Sequence, residues 1–399
     1  MKHLLIALSG AADQPAPPKE DKTPLELAKV PNLNHFAKVG KAGLVKLMSE
    51  RLEPSSDVAF LNLLGYDADK AYTGRGPIEA ANLNLKLDTN EIAFCMNLIT
   101  EADSAMADPT SGQISTKEAK ALVNFLNKKV ANDFVRFYAG AGYCHVAVIK
   151  DSHGFEALSA KTVAPDHIVG EKLEEHFPKG PGEELLKKLM YDTRLLLKDH
   201  EINQVRVDLM ENPANMIWLW GQGRWPQIQP FREKFGLGGV VISSMEYAKG
   251  IARLAGLGVI DPGVSFFEEE GDHEKIARLM CDALHANDFV CVHLNGCDEA
   301  SRLGDARAKI SALEATDFFI LSEARRYLEE HRDTRLVAAT GFVAPWNLRR
   351  HLKDASPFVL AGAKVPADDI EKFSEVSANA SGWKVKNGSE LISQLLVRQ

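Results

Sequence analysis

Between residues 240 and 360, short apolar runs alternate with helical stretches, and no other feature limits the fold of this chain as strongly. The apolar runs are 240–243, 289–294, 336–340 and 357–360. The stretches between them, 247–255, 273–285 and 309–331, carry helical periodicity. Runs this short and this apolar predict strands buried on both faces. Strands alternating with helices imply a mostly parallel sheet with helices on either side, an α/β class. The run 4–8 is equally apolar and can bury itself only by joining that sheet. The middle of the chain has a different texture, with β-like runs such as 137–150 beside the helical stretch 182–198. The expected organisation is a core of residues 1–70 and 226–399, interrupted by a smaller α+β domain at 71–225. A chain of 399 residues also exceeds what one core usually holds.

Helix ends follow from local chemistry. Residues 23–39 predict one helix opened by Thr-Pro-Leu-Glu and closed at Gly40. The run SSDVAFLNLLGY, residues 55–66, predicts a helix with Ser55, Ser56 and Asp57 at its start. The segment 72–80 predicts a glycine-rich turn, and 216–226 a strand entering another.

Composition excludes some functions. The 47 basic residues are scattered and outnumbered by 55 acidic ones, giving a net charge of −8, which is no nucleic-acid footprint. No apolar run approaches the roughly 20 residues of a membrane span, and run 4–8 is too short for a secretory leader. Five cysteines, an odd number without a CxxC pair, point to a reducing cytoplasm.

In an open α/β sheet ligands bind beyond the carboxyl ends of the strands. The residues there are Ser9 and Gly10, then Ser56 and Asp57, then Asp298, Glu299 and Arg302, then Thr340, Gly341 and Phe342, with His351 following. Ser56 would sit among free backbone N–H groups, which favour an oxyanion; plain capping of the helix is the competing reading. Asp298 and Arg302 stand one helical turn apart and could form an ion pair. None of the 12 histidines forms an HxxxH or HExxH pair.

The run SSDVAFLNLLGYDADKAYTGRGPIEA resembles the cofactor-independent phosphoglycerate mutases of archaeal type, within the alkaline phosphatase superfamily. KTPLELAKVPNL, NPANMIWLWGQG, YAKGIARLAGL and DEASRLGD fit the same family, and WLWGQG is similar to a bacterial branch labelled homoserine kinase. The resemblance implies an alkaline-phosphatase-like core with an inserted substrate domain. It also implies a glycolytic isomerase in which two divalent metals, Mn²⁺, Mg²⁺ or Zn²⁺, clamp a phosphoryl group. Ser56 aligns with the serine that takes that group. Arg75, His145, Arg206 and Lys249 are the implied substrate-side residues, and Arg302, standing in place of a ligand, could anchor an anionic substrate by its own charge. Asp298 and His351 match two metal ligands. The other ligand positions hold Ser9, Arg302, Gly341 and Phe342, and two substrate arginines are replaced by Cys95 and Cys144. A neutral hydroxyl, a fixed cation, a glycine and a phenylalanine cannot cage a metal pair. The expectation is a degenerate metal site, no cofactor, and a pseudoenzyme binding a phosphorylated small molecule or a protein partner. The alternative is an active mutase, or a homoserine-kinase-like phosphotransferase, recruiting Asp13, Asp57, Glu299 or Asp305 as replacement ligands.

Overall fold

The computed structural model describes residues 1–16, 22–151, 156–264 and 270–396. The chain forms two compact units, one joining Met1–Tyr72 to Ile228–Gln399 and the other comprising Thr73–Gln227. The first unit begins with β1 (Lys2–Leu8) and β2 (Lys41–Val45). The second holds β3 (Glu91–Ala102), β4 (Ala105–Asp108), β5 (Val135–Tyr138), β6 (Cys144–Lys150) and β7 (Met216–Gly223). The chain then returns to the first unit through β8 (Gly239–Ile242), β9 (Gly258–Ile260), β10 (Phe289–Leu294), β11 (Thr334–Ala339), β12 (Ser356–Gly362) and β13 (Lys384–Val385).

The first unit's sheet has the order β13-β2-β12-β11-β1-β10-β8-β9. It is mostly parallel. Only β12 runs against its neighbours β11 and β2. β1 lies between β10 and β11, parallel to both, which explains its unbroken apolar run. Alternate residues Leu4, Ile6 and Leu8 join Leu336, Ala338, Val290 and Val292 in one core with Phe36, Met280, Leu284 and Leu321. Each of the larger side chains in this set contributes about 1.5–3 kcal/mol by leaving water. On the opposite face Phe289 stacks on Phe231, ring centroids 4.7 Å apart.

The single helix expected over 23–39 is two helices, Pro24–Leu27 and Pro31–Val39. Pro31 excludes helical geometry at Val30, which turns to φ −122°, ψ 64°. The second helix has no side-chain cap of its own. Asp317 supplies one from afar, accepting from Asn32 N at 3.0 Å and Leu33 N at 2.8 Å. Asp317 sits in a π-helical stretch, Thr316–Leu321, between helices Ala306–Ala315 and Ser322–Glu330. Burial pushes its carboxyl up, against the hydrogen bonds from Asn32 and Leu33.

In the second unit β3 is the centre, paired with β4, β6 and β7, all antiparallel. Helices Thr116–Lys129 and Glu183–Leu197 contribute Leu122, Leu126, Leu186 and Met190 to its core. Two expected turns are regular structure. Residues Arg75–Asn82 are helical, and β7 continues through Gly221 and Gly223. The glycines permit close packing instead. A Cβ on Gly74 would stand 2.1 Å from the Gln222 carbonyl oxygen, and one on Gly76 would stand 2.2 Å from that of Ala93. Among the described residues no helix is long and apolar enough to cross a membrane.

Candidate functional site at the strand tips

Four segments meet beyond the carboxyl ends of β1, β10 and β11. Gly10, left-handed at φ +71°, lies so close to Asp298 that an added Cβ would stand 2.8 Å from its Cα. Gly341, also at φ +71°, faces Ser9, with an added Cβ 3.3 Å from the Ser9 Cα. Asp298 is 2% exposed and meets His351, Oδ1 to Nε2 2.7 Å. Burial pushes the Asp298 carboxyl up, but the charge and hydrogen bond of His351, aided by Arg302 and Lys309, hold it below the usual carboxylate range. Phe342 is buried against the His351 ring, centroids 4.5 Å apart.

The Ser9 hydroxyl is committed to a residue that sequence reading passed over. His293, on β10, points Nε2 at Ser9 Oγ (2.9 Å) and at the Tyr247 hydroxyl (3.1 Å). Its Nδ1 meets Ser243 Oγ at 3.0 Å, and Phe60 packs edge-on against the ring at 4.7 Å. Burial pushes its pKa down to about 3, so the ring is neutral at physiological pH. The run FVCVHL reads as plain strand core. The one signal available was a polar residue near the end of an otherwise apolar strand.

Ser56 is the first residue of helix Ser56–Leu63, half-buried, and its hydroxyl makes no hydrogen bond among the described residues. Ser55 occupies the N-cap but directs its hydroxyl to Asp57 rather than to the helix backbone. Phe60, one turn on, places this helix start in the unit that holds His293. Arg302 is exposed and acts on Asp298 through its charge; the carboxylate's hydrogen bond goes to His351, not to Arg302 as the spacing suggested.

The carboxylates named as replacement ligands are engaged elsewhere. Asp13 takes a 2.6 Å bond from Lys309 Nζ, which also reaches the carbonyls of Ala12 (3.1 Å) and Ala344 (2.8 Å). Asp57 accepts from Val58 N at 2.9 Å and the Tyr72 hydroxyl at 3.0 Å. Glu299 accepts from Asn295 at 2.9 Å, and Asp305 caps helix Ala306–Ala315. Among the described residues no three His, Cys, Asp or Glu side chains are gathered as a metal ion would need. Gly341 and Phe342 offer no donor, Ser9 is bonded to His293, and Asp298 and His351 are bonded to each other.

Lys249 is buried and spends its ammonium on Glu246 (2.8 Å) and Asp261 (2.7 Å). Burial lowers its pKa, but these two carboxylates outweigh burial and leave it raised. In the second unit Arg206 is buried with Nε on the Asn212 carbonyl, Nη1 on Glu118 and Glu211, and Nη2 on the Ser111 carbonyl. Its donors hold the loop before helix Thr116–Lys129. Arg75 pairs with Glu79 at 2.7 Å. His145, on β6, accepts from Gly140 N at 3.0 Å through Nδ1, which leaves Nε2 as the protonated nitrogen, buried without a partner. Burial lowers its pKa to about 3. Cys95 and Cys144 stand diagonally on neighbouring strands, opposite Val146 and Asn97.

Comparison with known proteins gives a consistent result. The family profile for 2,3-bisphosphoglycerate-independent phosphoglycerate mutase matches residues 37–203. A Methanothermobacter thermautotrophicus protein named 2,3-bisphosphoglycerate-independent phosphoglycerate mutase 2 is 37% identical, covering 94% of this chain and 92% of its own. A Methanothrix thermoacetophila protein named 2,3-bisphosphoglycerate-independent phosphoglycerate mutase is 35% identical, covering 99% of this chain and 100% of its own. Among solved structures, a Pyrococcus horikoshii protein superposes with a TM-score of 0.80 over 100% of this chain and 99% of its own, at 23% identity. A cofactor-independent phosphoglycerate mutase from Thermoplasma acidophilum superposes at 0.62 over 99% of each chain, at 24% identity.

Proposed function

The chain belongs to the family of 2,3-bisphosphoglycerate-independent phosphoglycerate mutases, and from that premise we propose that it keeps the family fold without phosphoryl transfer through paired metal ions. One observation carries this reading: Asp298 and His351 satisfy each other across 2.7 Å, with the Phe342 ring packed beside them. Two divalent ions clamping a phosphoryl group supply charge to the attacking and leaving oxygens. The residues present supply no equivalent. Arg302 offers one fixed cation, and the start of helix Ser56–Leu63 offers N–H groups beside a half-buried hydroxyl. That combination suits holding a phosphorylated small molecule rather than splitting it. The role of His293 in this reading is structural. As a neutral ring bonded to Ser9, Ser243 and Tyr247, it fixes the strand tips in place.

A second reading, an active mutase, is favoured by the names of relatives that match nearly end to end. It requires ligands to be recruited from carboxylates that now hold Lys309, Tyr72, Asn295 or a helix cap. The two readings separate in one experiment. The purified chain is loaded with Mn²⁺, its metal content is measured, and interconversion of 3- and 2-phosphoglycerate is followed in wild type and Ser56→Ala. The first reading expects no stoichiometric metal, no turnover, and phosphoglycerate affinity within a few-fold in the variant. Turnover with bound Mn²⁺ that vanishes in Ser56→Ala establishes the second.

A further inference from the structure

At the end of the sheet opposite the strand tips, β11 carries Arg335 directly beside His3 of β1. The two are register partners and therefore share one face of the sheet, the one turned away from the core of Leu4 and Leu336. The row continues as Gly362 on β12 beyond Arg335 and Phe289 on β10 beyond His3. Arg335 is only 5% exposed, and its buried Nε–H has no partner. No side-chain hydrogen bond or ion pair from its guanidinium is formed among the described residues. The carboxylates that immediately precede β10 and β11 face other cations: Asp288 lies 3.8 Å from the Lys2 ammonium, and Asp333 lies 3.4 Å from the Met1 amino group. His3 donates through Nδ1 to the Asp288 carbonyl at 3.2 Å, and its buried Nε2 is left without a partner as well.

Two buried polar nitrogens without partners on register-paired residues are uncommon. A guanidinium cannot shed its proton to relieve burial, so it needs a counter-charge or a polar partner. We propose that Arg335 and His3 form a binding site for a small oxyanion, a phosphate or carboxylate group. One oxygen accepts from Arg335 Nε–H. A hydroxyl of a protonated phosphate can donate to His3 Nε2, or His3 takes up a proton and donates in turn. Gly362 suits the arrangement, because an added Cβ there would meet the Arg335 Cα at 3.1 Å and crowd the guanidinium's strand. The site is separate from the Ser9–His351 cluster, which lies beyond the other ends of the same strands.

The test is the melting temperature of the full chain in inorganic phosphate against chloride at matched ionic strength and pH. Wild type, Arg335→Met and His3→Phe are compared. The expected result is a rise with phosphate in wild type, absent in Arg335→Met and reduced in His3→Phe. Arg335→Lys keeps the charge without the Nε–H donor, and calorimetry should find its phosphate affinity at least tenfold weaker than wild type. An equal rise in all variants, or none in wild type, overturns the proposal. So does a crystal grown in phosphate with only water at Arg335 Nε. Acetate in place of phosphate tells whether the carboxylate or the phosphate group is the preferred form.

Discussion

Two of the buried carboxylates in the first unit, Asp13 bonded to Lys309 and Asp298 bonded to His351, are held on different principles. Lys309 and Asp13 have side chains fully withdrawn from solvent, and the ammonium is tied to one carboxylate and two carbonyls. Three acceptors match the three donors of the ammonium. His351 retains 15% of its side-chain surface and makes one hydrogen bond, against an aromatic wall. The first pair holds the segment after β1 to the segment after β11. The second occupies positions where chemistry would be expected. A saturated pair is a fixed joint, while a single-bonded pair with a titratable partner tolerates change.

The strongest challenge to this contrast is Lys309→Met. It leaves the Asp13 carboxylate buried without its cation, and unfolding in urea should show a loss of about 3–5 kcal/mol. Replacing both Asp13 and Lys309 by apolar residues should recover much of that loss. A cost below about 1 kcal/mol for the single change would erase the distinction.

Asp298→Asn comes next, at about 1–3 kcal/mol near pH 7. Its pH dependence sharpens the comparison. The folded Asp298 carboxyl lies below its usual value, so its contribution is present above the unfolded value and is lost as pH falls through the folded one. Denaturation curves of wild type and variant should therefore converge below about pH 4.

His293 acts over a different range, and at pH 6 its effect is the smaller one, about 1 kcal/mol or less. Its folded pKa of about 3 lies below the 6.5 of an ordinary histidine, so the unfolded chain binds more protons between those values. Stability should fall by up to about 1.4 kcal/mol per pH unit as pH drops below 6.5, and His293→Gln should flatten part of that slope. Arg302→Ala should be smallest, within about 0.5 kcal/mol, because the side chain is exposed and acts on Asp298 through solvent-screened charge.

Much of the strand-tip site was legible in the sequence. Apolar runs locate the strands, strand ends locate the candidate residues, and Ser9, Asp298, Gly341, Phe342 and His351 do come together. What the sequence hid has physical causes. His293 lies within an apolar strand, and only its three hydroxyl partners, from separate elements, reveal it. Lys309 carries no signal of its own in the sequence, because its acceptors come from distant segments. The break at Val30 was signalled by Pro31, but the cap that makes it affordable is Asp317, far along the chain. Lys249 and Arg206 looked available because a cation's partners cannot be counted from a linear string; both are buried among acceptors.

The glycines at 74 and 76 carry a different lesson about how such a chain can drift. They set the distance between a helix start and two strand backbones, and a single methyl group at either position would collide with a carbonyl oxygen. Catalytic side chains can be exchanged one at a time while the scaffold survives, but this seam admits no such gradual path. A descendant that abandoned every reactive group would still spell TGRGP, and the motif would go on advertising a ligand long after serving only as a spacer.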